Sequence, residues 1–269
     1  MTNFGRADSW PRPPNGETSL VDGPSSDRLY ADPELVQFYD LENAWAADQD
    51  YCAGLAETAG SILDLGCGTG LFLSRLAEGR TAVGVDPAGA MLEIARQRPG
   101  GDRVTWVEAD ARRLRLDQRF DLIVLTGHAF QVFLDADDQR AALATIAAHL
   151  APEGTFVFDS RNPLAEAWRR WTPTASKRAL RHPRLGEVVA WNEAAHDPQT
   201  GIVTYRTHYE VAADRRRFSA ESKIRFTPQE RLAALLEEAG LAVEAWLGDW
   251  HGQAFTAASP ETIPVGRLG

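Results

Sequence analysis

This sequence is short of the features that mark secreted, membrane-bound and nucleic-acid-binding proteins. Its 269 residues include two cysteines, Cys52 and Cys67, which are too few for a disulfide framework and predict a reducing, cytoplasmic location. No apolar run is long enough to cross a bilayer, so we expect no membrane partner.

Positive charge is also scarce. Lys and Arg together number 28 against 38 Asp and Glu, which gives a net charge of −10, and lysine occurs only as Lys177 and Lys223. Nucleic acids and anionic membranes reward clustered Lys and Arg. We therefore expect no nucleic-acid partner and a small-molecule substrate.

What the sequence does contain is a regular alternation of strand and helix patterns. Apolar runs with strand character occupy residues 61–65, 81–86, 104–110, 120–126 and 154–159, and amphipathic stretches lie between them. Strands that alternate with helices at this spacing predict βαβ units and a parallel sheet. The chain is long enough for one large α/β domain with an insertion.

The segment before the first strand changes character near its middle. Residues 1–28 are rich in Pro, Gly, Ser and Asp, which predicts a flexible N-terminal arm. From Asp32 onward the pattern becomes helical, because Asp32 can cap a helix and Pro33 suits the first helical position. We expect two helices over residues 33–58.

The alternation breaks after the fifth strand. Strand-like runs at 187–193, 202–211 and 217–226 follow one another without helices, which predicts an antiparallel insertion. A capped helix then begins near Thr227, and runs at 241–247 and 261–267 predict an antiparallel pair at the sheet edge. We divide the chain into an arm (1–28), an α/β core with lid helices (29–182), a β insertion (183–226) and a C-terminal helix with two edge strands (227–269).

The strongest signal for a ligand is the glycine-rich turn after the first strand. Gly66, Gly68 and Gly70 lie within five positions, and a helix follows. Glycine allows positive φ and close backbone approach, and a helix N-terminus offers free N–H groups to an anion. A dinucleotide fingerprint would need glycine where Leu71 stands, which weakens but does not remove the oxidoreductase alternative. A phosphate-binding P-loop would need a nearby lysine, which is absent.

These residues resemble the motifs of class I S-adenosylmethionine-dependent methyltransferases. The similar segments are 62–70, 83–86, 108–110, 120–123 and 150–155, in the order that this family has them. The resemblance is close over residues 55–160. It implies a Rossmann-like, doubly wound, seven-stranded sheet that is mostly parallel, with a small antiparallel β insertion. It also implies S-adenosyl-L-methionine as cofactor and S-adenosyl-L-homocysteine as product.

The resemblance assigns cofactor contacts residue by residue. The expected cofactor-binding residues are Tyr39, Asp64, Gly66, Gly68, Gly70, Asp86, Met91, Asp110 and Ala111. Asp64 would accept from the ammonium of the methionine end, Asp86 from both ribose hydroxyls, and Asp110 from the adenine amino group. Tyr39 would place an aromatic face near the sulfonium, where cation–π attraction is available.

The acceptor side is expected at the loop after the fourth strand. His128 in that loop is the candidate general base or orienting group, and Arg161 and Asn162 after the fifth strand are candidate substrate-binding residues. No metal is expected. The Gly-His pair and the β insertion are similar in layout to small-molecule N-methyltransferases, including those that act on nucleotide-linked amino sugars and on peptide amines.

The resulting hypothesis is methyl transfer to a nitrogen of a small metabolite by direct in-line displacement. An oxygen acceptor and a catalytically silent cofactor-binding module are the alternatives. The β insertion is a candidate surface for a homodimer.

Overall fold

The central sheet contains the strands that the sequence predicts. A computed structural model describes residues 27–269, so the predicted arm lies almost wholly outside the described residues. Numbered along the chain, the strands of the main sheet are β1 (Ser61–Leu65), β2 (Thr81–Asp86), β3 (Thr105–Glu108), β4 (Phe120–Leu125), β5 (Leu150–Phe158), β11 (Leu241–Leu247) and β12 (Glu261–Leu268). Their order across the sheet is β11, β12, β5, β4, β1, β2, β3, and a two-residue strand β6 (Ser160–Arg161) pairs with β12.

The sheet is parallel from β5 to β3, and β12 is antiparallel to both of its neighbours. This confirms the predicted doubly wound, mostly parallel sheet of seven strands. Helices cover both faces, because α4 (Ala47–Ala56) and α5 (Leu71–Leu76) pack on one face, and α7 (Ala136–His149) and α8 (Gln229–Glu238) pack on the other. The central strands are therefore apolar along almost their whole length.

The segment before β1 differs from the prediction of two helices, which is wrong. Four short helices are present, of which the first three are α1 (Arg28–Ala31), α2 (Pro33–Val36) and α3 (Tyr39–Glu42). Asp32 caps α2 with its side chain, and Pro33 begins that helix, so α1 cannot run on into α2. The side chain of Asn43 donates to the carbonyl of Tyr39 and closes α3.

The fifth strand also begins earlier than predicted. β5 starts at Leu150, directly after α7, and residues 152–154, Pro-Glu-Gly, are typical of a turn but lie inside the strand. Phe120 pairs with Leu150 and Leu122 pairs with Thr155, so β5 accommodates extra residues as an irregularity. Turn-forming residues alone do not distinguish such a bulge from a turn.

The insertion is a four-stranded antiparallel sheet, one strand larger than predicted. Its strands are β7 (Arg178–His182), β8 (Gly186–Asp197), β9 (Ile202–Val211) and β10 (Arg217–Arg225), in the order β10, β9, β8, β7. The sequence division at residue 183 separates β7 from its partner β8, although Ala179 pairs with Val189. We propose that this unit begins at Arg178. The strand was missed because it is short and carries two arginines and a histidine.

The second sheet packs on the first three helices. Leu35 and Phe38 share an apolar cluster with Val188 and Tyr209, and the Phe38 ring stacks on the Tyr209 ring with centroids 4.2 Å apart. We call α1–α3 together with the second sheet the roof. None of the helices within residues 27–269 has both the length and the apolar character needed to cross a membrane.

Candidate active site

The glycine turn adopts the backbone conformation that its composition predicts. Gly66, Gly68 and Gly70 have φ of +74°, +53° and +73°. The N–H groups of Gly66 and Cys67 donate to the carbonyl of Val85 at the end of β2, at 2.7 and 3.1 Å. The turn is therefore tied to the carboxyl edge of the sheet, where open α/β sheets bind ligands.

The turn is also too crowded for larger residues. A methyl group added at Gly66 would lie 2.9 Å from the Cβ of Ala129 in the loop after β4, and one added at Gly68 would lie 3.3 Å from the hydroxyl of Tyr39. The turn is thus packed between that loop and the roof. This places Tyr39 beside the turn, and its contact with the cofactor stays a prediction.

Asp86 ends β2 with both carboxylate oxygens held in place. One oxygen accepts from the N–H of Gly68 at 2.9 Å and the other from the N–H of Ala88 at 2.8 Å. Burial raises the pKa of Asp86, and these two backbone hydrogen bonds oppose the rise. Each oxygen keeps a lone pair, so the carboxylate can still accept from two vicinal hydroxyls.

Asp64 is a buried carboxylate without a hydrogen-bond donor among the described residues. It is 4% exposed, and burial together with the neighbouring charge of Asp86 raises its pKa to about 8. Burying an ionised carboxylate without a hydrogen-bond donor costs free energy of folding unless a cation pairs with it. The ammonium of the methionine end of the cofactor is such a cation, so the residues around the turn fit this group.

The adenine side is less open than expected. Arg112 donates to both carboxylate oxygens of Asp110 and also pairs with Asp138 at 2.5 Å. Burial raises the pKa of Asp110, but the bonds and charge of Arg112 outweigh it and lower the pKa overall. Met91 and Ala111 are buried apolar residues, 1% and 9% exposed. Contact of Asp110, Met91 and Ala111 with the adenine stays a prediction.

A polar cluster that the sequence does not reveal fastens the roof to the turn. The carboxylate of Asp40 accepts from the hydroxyl of Thr69 at 2.6 Å and pairs with Arg98, which also donates to the carbonyl of Thr69 at 2.7 Å. These three residues come from α3, the glycine turn and the end of α6 (Gly89–Gln97). Because Asp40 follows Tyr39, this cluster holds the Tyr39 ring against Gly68.

His128 lies at the same edge of the sheet, in the loop after β4. Its backbone is left-handed, with φ of +63°, and its N–H donates to a carboxylate oxygen of Asp159 at 2.8 Å. Its ring Nε2 is 3.1 Å from Glu261 and 3.5 Å from Asp159. Burial lowers the pKa of the ring to about 4, although the charge of Asp159 opposes this shift. The imidazole is therefore neutral at neutral pH.

Three acids of this region are missing from the sequence prediction. Asp159 follows β5, Glu261 begins β12, and Asp48 lies in the first turn of α4. Burial raises the pKa of the Cys52 thiol, and the charges of Asp159, Asp64 and Asp48 raise it further, so these three acids lie near Cys52 in α4. Asp159 has a usable sequence signal, because it ends a strand as Asp86 does. Glu261 has none, because only antiparallel pairing brings the start of β12 to this edge.

His128, Asp159 and Glu261 also form a group with the residue types of a metal site. One ligand atom from each lies within 4.8 Å of the others. The prediction that the protein uses no metal stays a prediction.

The two predicted substrate ligands have different surroundings. Arg161 is half-buried, donates to the side chain of Gln131 at 2.9 Å and lies over the Trp171 ring at 5.1 Å. Asn162 is 1% exposed, and its amide bonds to Ser259, Ala257 and Leu164 backbone groups. The Asn162 side chain thus fastens the loop before β12, and its contact with the substrate stays a prediction.

A groove of about 450 Å³ at the opposite edge of the sheet is separate from this site. It lies between α8 and the start of β11, and Gly240, Leu241 and Trp246 contribute to its wall. None of the predicted site residues lines it.

Comparison with known proteins agrees with this geometry. A family model described as a methyltransferase domain matches residues 62–154. The cypemycin N-terminal methyltransferase of a Streptomyces species is 28% identical over 253 residues, covering 89% of this chain and 98% of that protein. The matched domain contains the glycine turn and Asp86, and the comparisons support an S-adenosylmethionine-dependent methyltransferase with the class I fold. S-adenosyl-L-methionine is therefore the cofactor of this methyltransferase.

Two further similarities extend over nearly the whole methyltransferase. The dTDP-3-amino-3,6-dideoxy-alpha-D-glucopyranose N,N-dimethyltransferase of Streptomyces fradiae is 29% identical, covering 90% of this chain and 96% of that protein. A solved S-adenosylmethionine-dependent methyltransferase from Clostridium acetobutylicum superposes with a TM-score of 0.71 and 18% identity, covering 88% of this chain and 98% of that chain. The structural match shows a common fold.

Proposed function

We propose that this methyltransferase methylates a nitrogen of a small metabolite by direct in-line displacement. The observation that carries the proposal is the position of His128, a neutral imidazole at the same sheet edge as the glycine turn and Asp64. A neutral imidazole can accept a hydrogen bond from an amine and hold its lone pair in one direction. The relatives that align over their full length are named for methylation of a peptide N-terminus and of an amino sugar.

The residues of this chain would supply binding, orientation and exclusion of water. The cofactor supplies the reactive methyl group on its sulfonium when bound. The glycine turn, Asp64 and Asp86 would hold the cofactor, and Tyr39 would cover it from the roof. His128 would orient the acceptor nitrogen. Arg161 would bind a polar or anionic substituent of the acceptor, because its guanidinium lies in the same region.

Matched acceptors test the proposal. The purified protein would be incubated with S-adenosyl-L-methionine and the amino sugar nucleotide named above, or the same nucleotide with a hydroxyl in place of the amine. A short peptide with a free N-terminal amine is the third acceptor. We expect a mass increase of one or two methyl groups on an amine acceptor only, measured by mass spectrometry.

Each other outcome has a defined meaning. Methylation of the hydroxyl compound alone would show an O-methyltransferase. Calorimetric binding of S-adenosyl-L-homocysteine without turnover of any acceptor would favour a catalytically silent module.

Two wider properties belong to the same proposal. We propose a cytoplasmic location, which agrees with the free thiols of Cys52 and Cys67. We also propose a homodimer through the second sheet, whose outermost strands β7 and β10 pair on one side only within residues 27–269. Light scattering of the purified protein at several concentrations would measure the oligomeric state, and a monomer at all concentrations would contradict the dimer.

A further inference from the structure

We propose that Asp159 and Glu261 bind the acceptor as a protonated amine, and that Glu261 takes the proton whose removal frees the nitrogen lone pair. This inference rests on the proposed function and specifies its substrate class, an amine that is cationic at neutral pH. It assigns a role to two residues that lie outside the glycine turn and its motifs.

The two carboxylates come together from separate strands. Asp159 follows the last residue of β5, and Glu261 is the first residue of β12, which runs in the opposite direction. His128 lies between them, 3.1 Å from Glu261 and 3.5 Å from Asp159. The antiparallel arrangement of β5 and β12 thus brings Asp159 and Glu261 together beside His128, the residue proposed to orient the acceptor nitrogen.

Hydrogen-bond donors are too few for these carboxylates. The backbone N–H of His128 donates to one oxygen of Asp159 at 2.8 Å. Beyond that bond, one ring nitrogen of His128 faces both acids, and it can carry a single proton. Arg161 is the nearby cation, but its guanidinium donates to Gln131 at 2.9 Å. Asp159 is 1% exposed, so water cannot freely supply the missing donor. An ammonium ion brings three N–H donors and so matches what the pair lacks.

The charge around the pair also calls for a cation. Carboxylates come together here from three places, with Asp48 on α4, Asp159 after β5 and Glu261 on β12, while Arg161 on β6 is the opposing charge. Burial raises the pKa of Asp159, and burial raises the pKa of Glu261 to about 7 although Arg161 opposes the shift. Both acids would be stabilised in the ionised form by a bound ammonium.

The proton transfer balances without any other reactant. One N–H bond of the bound ammonium breaks, an O–H bond forms on a carboxylate oxygen of Glu261, and the electron pair of the N–H bond becomes the nitrogen lone pair. A carboxylate with a pKa near neutral can later release this proton to solvent. Glu261 suits this role better than Asp159, because its side chain is 19% exposed and Asp159 is 1% exposed.

A simple ammonium ion can test the pair without knowledge of the natural acceptor. The probe is ethylammonium chloride, titrated into the full chain saturated with S-adenosyl-L-homocysteine. The readout is the NMR resonance of the His128 ring, assigned by its loss in His128→Asn. We expect a saturable shift of this resonance, and at least a fivefold weaker response in Asp159→Asn and in Glu261→Gln.

Controls separate ammonium binding from ionic strength and from a metal site. Sodium chloride at equal ionic strength should not shift the His128 resonance. The control variant is Glu57→Gln, which changes an exposed acid at the C-terminal end of α4, and its response to ethylammonium should equal that of wild type. No shift with ethylammonium, or equal shifts in the two cluster variants, would overturn the proposal. A larger response to magnesium or zinc chloride would overturn it in favour of a metal site.

The kinetic arm distinguishes failure of this inference from failure of the proposed function. With an amine acceptor that wild type methylates, Glu261→Gln should raise KM and lower kcat/KM at least tenfold and should change its pH profile. If Glu261→Gln leaves KM and the pH profile unchanged, the role proposed for Glu261 is wrong, while the proposed N-methylation is unaffected. Methylation of hydroxyl acceptors only would remove the proposed function, while the ethylammonium titration would still decide what the pair binds.

Discussion

The cofactor side and the acceptor side of this methyltransferase are built in different ways. Apart from Tyr39 in the roof, the cofactor-side groups come from the single stretch 61–111, in which the ends of β1 and β2 supply the glycine turn and Asp86. The acceptor-side groups come from three separate places in the chain, the loop with His128, the segment with Asp159 and Arg161, and the start of β12 with Glu261. A contiguous βαβ unit fixes ligand groups by local geometry, whereas a composite site depends on how distant segments pack. Substitutions on the two sides should therefore have different signatures.

The largest effect is expected where the glycine turn packs on the sheet. Gly70 and Gly79 both have φ of +73°, but a methyl at Gly70 would lie 2.4 Å from the Trp106 ring, and one at Gly79 meets nothing within 4 Å. Gly79→Ala should cost about 1–2 kcal/mol of unfolding free energy through backbone strain. Gly70→Ala should cost a further ~1–3 kcal/mol through overpacking. Urea denaturation measures the unfolding free energy of both variants. An equal loss of unfolding free energy in the two variants would contradict the crowding of Gly70 by Trp106.

The next largest effect concerns the carboxylate at the end of β2. Asp86→Ala should weaken S-adenosyl-L-homocysteine binding by about 10- to 100-fold, because hydrogen bonds to a charged group contribute roughly 1.5–3 kcal/mol. Asp117→Ala, at an exposed position, is the matched control and should bind as wild type does. Isothermal calorimetry gives the dissociation constants. Equal affinity in the two variants would remove Asp86 from the cofactor site.

A complementary change on the acceptor side should leave cofactor binding alone. His128→Asn keeps a residue type that tolerates the left-handed backbone at this position, where φ is +63°. With an amine acceptor that wild type methylates, we expect kcat/KM to fall by about 100-fold, at the lower end for a positioned base. The affinity for S-adenosyl-L-homocysteine should be unchanged. Wild-type turnover in this variant would refute a role for His128 in catalysis.

The pH dependence of stability should report the orphan carboxylate of Asp64. Its pKa in the folded, cofactor-free protein is raised from an ordinary 3.8 to about 8. Between these values the folded protein holds a proton that the unfolded chain has released, so unfolding releases a proton and stability falls as pH rises. Asp64→Asn should flatten this part of the profile, measured by denaturation at a series of pH values. A profile that is the same in the variant would contradict the raised pKa.

The smallest effect is expected at the cluster that fastens the roof. Asp40→Asn removes the charge that pairs with Arg98, and Asp40 is partly exposed, so the loss of stability should stay below about 1 kcal/mol. The bond between Asp40 and Thr69 holds the neighbouring residue Tyr39 beside the glycine turn. When this bond is weakened, S-adenosyl-L-homocysteine should dissociate several times faster, measured by stopped-flow fluorescence. An unchanged dissociation rate would show that the roof does not retain the cofactor.

The errors of the sequence prediction fall mostly outside the βαβ units. The prediction places β1, β2 and β4 well because each is a mostly buried apolar run. The short helices α1–α3 and the strand β7 were misread, since segments of four or five residues carry too little periodicity to be recognised. Their conformation is decided by contacts such as the stacking of Phe38 on Tyr209, which join residues far apart in the chain.

The sequence by itself determined the doubly wound sheet, the glycine turn and the cofactor. The sheet and the turn follow from local rules: glycine for positive φ, acids at strand ends and apolar runs inside parallel strands. The cofactor follows from the resemblance of these motifs to those of class I methyltransferases. Only the tertiary structure decided that His128 lies between Asp159 and Glu261 and that Asp40 holds the roof to Thr69. The physical reason is that these contacts are made by side chains from different strands and layers, and their approach depends on strand order and packing rather than on spacing along the chain.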